Sequence, residues 1–313
     1  MLHIVNGDST RMGLEPSGVP GTIVSWDDLL SEGPTPLASG DAWMRVRAHY
    51  LGSAGYGDEA EILRDFHAKG DPLDAIAGHD EAVFWFEHDL HDQLLLIHHL
   101  WWLAQHPPPS TRLSIVIGTE YLGLLTPEQF PARFAARRGI SAGEIAAGAS
   151  AWAAFCGDDP RQLVPLARDA GSLAHLPRAM HRILEEFPAE RTGLARSERQ
   201  ILDVLAEGAR SPGQTFVASS RLEDDIWMGD WGFWTIVKRL AGGGHPLVTA
   251  SVREVPGRLP EGTLEITSAG RRVRAGVADH LALNAPSRWI GGTHLTPERA
   301  WRWTGSSLQP ASP

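Results

Sequence analysis

Residues Phe84–His99 read FWFEHDLHDQLLLIHH. An apolar run over Ala82–Phe86 stops abruptly at Glu87, His88 and Asp89. Leu90, Leu94, Ile97 and Trp101 then recur at the spacing of one helix face. A strand that passes directly into a helix is the repeating unit of a parallel sheet, whose strands are covered on both faces and therefore read as continuous apolar runs. The same form occurs in LHIVN (2–6), GTIVSW (21–26) and LSIVI (113–117). These runs predict an open, mostly parallel, Rossmann-like α/β domain over residues 1–125. Two helices, Trp43–Leu51 and Asp58–Ala68, are expected between the second and third strands.

The remainder of the chain changes character twice. Residues 126–194 open on TPEQF, a Thr cap followed by Pro, and continue through Ser141–Phe155, Pro160–Ala170 and Leu176–Phe187 without a β-rich run. They predict a helical connector that packs on the sheet or covers it as a lid. Residues 195–280 hold SERQILDVLAEG, read as a helix capped by Ser197 and stopped by Gly208. A second helix (GDWGFWTIVKRLAGGG) follows, and then two strands around a Pro/Gly loop. Helix, helix and hairpin predict a winged-helix-like α+β domain. Residues 281–313 are a Trp-rich strap ending in a tail, SSLQPASP, expected to fray.

Composition narrows the function classes. The chain has 313 residues, a net charge of −10 and one cysteine, Cys156. That excludes an intramolecular disulfide and a Cys-rich zinc finger. With 28 basic residues against 38 acidic ones, broad nucleic-acid affinity is disfavoured, because phosphate binding is driven by Lys and Arg. No basic leader precedes an apolar core, and no run reaches the roughly 18 apolar residues of a membrane span. A soluble cytoplasmic protein without membrane partners is expected.

Ligands of open α/β sheets collect outside the carboxyl ends of the strands. Asn6, Gly7, Asp8 and Ser9 follow the first strand; Asp27, Asp28 and Glu32 follow the second; Glu87, His88 and Asp89 follow the third. Each carboxylate has a structural alternative: Asp8 and Asp89 suit helix caps and Asp27 suits a turn. Convergence at one edge makes Asp8, Asp27, Glu32, His88 and Asp89 catalytic candidates. Crowded carboxylates need a cation or a retained proton, so a divalent metal on Asp8, Asp27 and His88 is a candidate cofactor, although no high-specificity metal spacing is present. Gly7 and Ser9 suit a phosphate at a helix start, and Arg45 or Arg47 suits an anion clamp. His98 and His99 follow the core stripe and are read as packing or surface residues. His294, in RWIGGTHL, is a secondary substrate-binding candidate.

HIVNGDS, WDDLLSEGP, WMRVRAHYL and WFEHDLHDQL together resemble the bacterial family called domain of unknown function 1835. LTPERAWRW and RWIGGTHL resemble the tail of its longer members. The resemblance covers residues 3–100 and about 229–303. It implies that Asp8, Asp27, Glu32, Gly33, Pro34, His88, Asp89, Asp92 and Gln93 form one pattern, and it supplies no reaction. Two functions are compatible with these features. One is a hydrolase or transferase acting on a phosphorylated or nucleotide-like small molecule at an acidic crevice. The other is a non-catalytic small-molecule sensor or transcriptional regulator, in which the crevice binds a small molecule and the winged-helix-like domain transmits that state to DNA or a protein.

Overall fold

The apolar runs form strands, and the polar residues after the first and third of them start helices. In the computed structural model, which describes residues 1–311, the first strands and helices are β1 (Leu2–Val5), α1 (Asp8–Leu14), β2 (Thr22–Ser25), α2 (Gly40–Ala54), α3 (Glu59–Lys69), β3 (Glu81–Phe86), α4 (Leu90–Gln105) and β4 (Arg112–Ile117). There follow α5 (Phe130–Ala135), β5 (Arg138–Gly139), α6 (Ala142–Phe155), α7 (Leu163–Leu166) and α8 (Leu176–Leu184). The sheet order is β2-β1-β3-β4-β5; the first four strands are parallel and β5 is antiparallel to β4. Every residue of β3 is buried, as expected for a strand with a neighbour on each side and helices above and below.

The chain divides between Met180 and His181 into two compact units, not at residues 125 and 194. The helical stretch is not a separate connector. Its strand β5 extends the sheet, and α6 seats on α4 where Gly148 meets Leu100; a Cβ on Gly148 would come within 2.4 Å of that side chain. Trp152 of α6 stands 4.9 Å from the His98 ring and 5.8 Å from Trp43, between ring centroids. Trp26 faces His98 at 4.5 Å and His99 at 4.9 Å. Both histidines are therefore core residues. Burial holds His98 well below the usual imidazole range, and it lowers His99 to about 4.

A buried ion pair shapes the loop after β2. Arg47, fully buried on α2, donates through Nε and Nη2 to Asp28 at 2.6 to 3.1 Å. Its remaining N–H groups reach the carbonyls of Leu29, Glu32 and Pro34. Gly33, at φ 72°, has the Tyr50 ring 2.3 Å from where a Cβ would lie, so only glycine fits there. At the opposite end of the sheet, Glu81 is held by Arg112, Arg137 and Ser114, and these bonds lower its carboxyl to about 2.

The second unit contains the last turn of α8, α9 (Arg196–Ala206), α10 (Pro212–Ser220), α11 (Asp230–Ala241), β6 (Val248–Val255), β7 (Arg258–Ile266), α12 (Ser268–Arg274) and α13 (His280–Leu283). Short hairpins β8 (Arg288–Ile290) with β9 (Thr293–Leu295), and β10 (Trp301–Trp303) with β11 (Leu308–Pro310), complete it. Leu202, Phe233, Val237, Leu264 and Val273 meet in its core. Residues 181–194 belong here because buried Arg182 forks between Glu186 and Glu223 and also reaches Ser197. Ser197 is thus not the cap of α9; Ala195 holds that position, and the Ser197 hydroxyl donates to Glu186. The tail does not fray over Leu308–Pro310, which pair with β10, and its last two residues lie outside those described.

Removing one partner of a buried pair strands the other charge. Asp28→Ala should destabilise the first unit by about 3–5 kcal/mol, read by urea unfolding. Arg47→Met combined with Asp28→Leu should recover part of that loss; a double variant as unstable as the single one would refute the ion-pair account.

Candidate functional site

The carboxyl ends of β1, β2 and β3 bring the predicted polar residues to one edge, but in two groups rather than one. The first is buried. Glu87, Asp89 and Asp92 each offer an oxygen within 4.8 Å of the others. Asn6, at the end of β1, donates Nδ2 to both Asp92 oxygens at 2.9 Å and to Glu87 Oε1 at 3.4 Å. Thr10 donates to Asn6 Oδ1 at 2.6 Å. The Glu87 amide donates to Asp92 at 2.5 Å, and the Leu122 amide, from the loop after β4, donates to Glu87 at 2.6 Å. Asp89 caps α4 by accepting from the Asp92 amide at 3.2 Å, the role its spacing predicts. Gln93 bonds the Glu87 carbonyl at 2.7 Å.

Burial, followed by the charges of Asp89 and Glu87, pushes the Asp92 carboxyl well above its ordinary range. Burial also raises Glu87, against the amides that bond it. These three residues have the spacing of a divalent-cation site, yet the Asn6 amide points its N–H groups among their oxygens. A donor in that position takes lone pairs a metal would use, and it offsets part of the rise in carboxyl pKa that burial causes. Asp8, Asp27 and His88, the metal set expected from sequence, do not form such a cluster among the described residues.

The second group is open. Gly7 begins α1 with no side-chain cap, and a Cβ on it would lie 3.6 Å from Asp27 Oδ2. His91, in the first turn of α4, places Nε2 3.6 Å from Asp27 Oδ1, with 21% of its own side chain and 58% of that of Asp27 exposed. The Asn6 backbone carbonyl also bonds the His91 ring. Desolvation lowers His91 despite the nearby charges of Asp27 and Asp28, so its imidazole is neutral at pH 7. Partial desolvation, then the charges of Asp28 and Asp8, push Asp27 upward, an effect that its solvent exposure screens. Neutral imidazole beside a carboxyl with raised proton affinity is an acid/base pair within reach of solvent.

Other predicted residues are placed elsewhere. His88 faces Tyr121 at 5.3 Å and His175 at 6.3 Å. Ser9 packs under Gly123. Glu32 accepts from Tyr50 and Tyr56 at 3.1 and 3.2 Å. The expected anion clamp is not formed: every N–H of Arg47 is committed to Asp28 and neighbouring carbonyls, and exposed Arg45 pairs with Asp41 at 2.7 Å. In the second unit, His294 stacks on Trp289 at 4.4 Å. His91 and Asn6 are not among the candidates expected from sequence; their signal is a histidine in the first turn of the helix and an amide at a strand end.

No protein-family model matches the chain, and no curated protein matches it.

The raised Asp92 gives a signed prediction. Its proton is held more tightly in the folded chain than in the unfolded one, where Asp titrates near about 3.9. Its contribution is full below that value and is lost as pH rises through the folded pKa. Asp92→Asn should therefore flatten the fall in melting temperature on going upward from about pH 4; an unchanged profile would show that folding does not raise the Asp92 carboxyl.

Proposed function

We propose that the chain is an acid/base enzyme, a hydrolase or transferase, acting on a phosphorylated or nucleotide-like small molecule at the carboxyl edge of its sheet. The observation that carries this reading is the His91–Asp27 pair, 3.6 Å apart and open to solvent beside Gly7. Neutral His91 takes a proton from a water or hydroxyl held in the crevice, and Asp27 stabilises the imidazolium that forms. The proton then passes to the leaving group. A divalent metal, if the substrate brings one, would meet Asp8 and Asp27, while Glu87, Asp89 and Asp92 keep the edge in shape. Kinship with the domain of unknown function 1835 family is part of the same proposal, and rests on the motifs at residues 3–100.

The second unit supports a winged-helix reading. α9, α10 and α11 precede the β6–β7 hairpin, and Arg210, before α10, bridges Leu264 of β7. However, α11, which would enter a groove, buries Phe233, Trp234, Ile236, Val237 and Leu240, and Arg253 and Arg258 of the hairpin are paired with Glu261. We therefore assign this unit to a protein or substrate contact rather than to DNA.

A thermal-shift screen of nucleotides and sugar phosphates, with and without Mg²⁺ or Mn²⁺, tests the enzyme reading. Wild type should be stabilised by at least one compound, and His91→Ala and Asp27→Asn should each lose most of that shift while melting near wild type without ligand. Shifts that survive both substitutions would move the site elsewhere. For the second unit, fluorescence anisotropy with duplex DNA at low salt should show no saturable binding, whereas tight, salt-dependent binding would restore the regulator.

A further inference from the structure

A cavity of about 240 Å³ lies within the first unit, between α4, β4, α6 and the segment 172–175. Its walls follow from periodicity. Leu96 and Leu100 are one turn apart on α4, and Ile115 and Ile117 point to the same face of β4. Leu96, Leu100 and Ile115 are almost wholly buried, at 1 to 3% exposure, so the floor is dry. Gly148 lets α6 touch α4 at Leu100. One turn earlier, at Glu144, the facing side chain stands at the cavity margin instead, and the space opens there.

The rim is polar, with Ser172 and His175 beside Arg138 and Glu144. Arg138 and Glu144 pair at 2.7 Å across it. Glu144 is fixed further by the Ser141 amide and hydroxyl, and these contacts lower its carboxyl. Arg138 is about half exposed, at 51%, so its guanidinium can donate to an occupant without leaving Glu144. A phosphate or carboxylate would have to compete with Glu144 for that arginine, whereas a neutral acceptor would not.

Size and chemistry select the occupant. An apolar cavity of about 150 Å³ stays dry and holds one benzene ring; this one has room for two fused rings, about ten non-hydrogen atoms, on the same scale. Aliphatic side chains suit the faces of a flat ring system, and the Arg138–Glu144 edge suits a ring nitrogen or carbonyl. We infer that this cavity binds an uncharged, fused bicyclic heteroaromatic ring of purine or indole size. The inference stands apart from the acid/base reading at His91 and Asp27.

The full chain, labelled at isoleucine δ1 methyls, is titrated with adenine and with indole and followed by NMR. At least one probe should shift Ile115, Ile117 and Ile140 saturably, with Kd no weaker than about 1 mM, while Ile201 and Ile236 of the second unit stay in place. Leu96→Phe and Ile117→Phe, which fill the space, should each weaken binding at least 10-fold. Preference for adenine over indole would identify a purine edge, and the reverse an indole-like ring; both support the site. Absence of saturable shifts with either probe, shifts scattered over both units, or wild-type affinity in a folded cavity-filling variant would overturn it. The methyl map locates binding on wild type alone, so the test holds even where a variant fails to fold.

Discussion

Everything at the carboxyl edge of the sheet depends on how charge is accommodated at the dry end of β3. That strand is buried along its whole length, so the residues that leave it, Glu87 and Asp89, start in a low-dielectric setting where an uncompensated carboxylate is costly. Compensation comes from three directions: the Asn6 side chain from β1, the Leu122 amide from the loop after β4, and the Glu87 amide itself. Burial still raises the proton affinity of Asp92 and Glu87. The network ties three strand ends together. It also fixes the start of α4 through the Asp89 cap, and hence the place at which His91 emerges.

The same logic governs the arginines. A chain with net charge −10 could still offer a basic pocket, but these arginines near the sheet have their charge paired with carboxylates: Arg47 with Asp28, Arg112 and Arg137 with Glu81, and Arg138 with Glu144. In the second unit Arg182 is likewise enclosed by Glu186 and Glu223. The pairs buried on both sides, Arg47–Asp28 and Arg182 with Glu186 and Glu223, orient elements more than they stabilise them, since desolvation offsets most of their attraction. For the proposed chemistry the consequence is direct. The open side of the crevice carries the carboxyls of Asp8 and Asp27, so for this chemistry a phosphorylated substrate arrives with its charge masked, most simply as a metal chelate.

The parallel sheet was legible because burial on both faces writes itself as unbroken apolar runs, and LHIVN, GTIVSW, AVFWF and LSIVI all became strands. Caps were legible too: Asp89 before α4 and Ser141 before α6 behave as their types dictate. What escaped was set by tertiary partners. Arg138–Gly139 has no strand pattern and joins the sheet only because β4 offers an open edge. Ser197 looks like a cap, but the Arg182–Glu186 pair draws its hydroxyl inward. Arg47 looked like an anion clamp because nothing in WMRVRAHYL announces that Asp28 lies against it. In the candidate site, strand-end positions were readable, whereas the partition into a buried carboxylate cluster and an open His–Asp pair depends on side-chain direction within a single turn of α4.

The histidines of α4 make that last point in physical terms. His91, His98 and His99 occupy one helix, share one reference pKa and are all pushed downward by burial. His98 and His99 lie about two turns further in, against Trp26, Trp43 and Trp152. Aromatic faces enclose both, and His99 also meets the Leu95 carbonyl; an imidazole so enclosed has no route by which a proton could be exchanged with a substrate. His91 differs in two respects: a carboxylate stands 3.6 Å away, and a fifth of its side chain remains open. Proton transfer requires both, a partner to stabilise the charged form and access for the group that gives up the proton. On this helix only the first turn, where the sheet edge meets solvent, supplies them together.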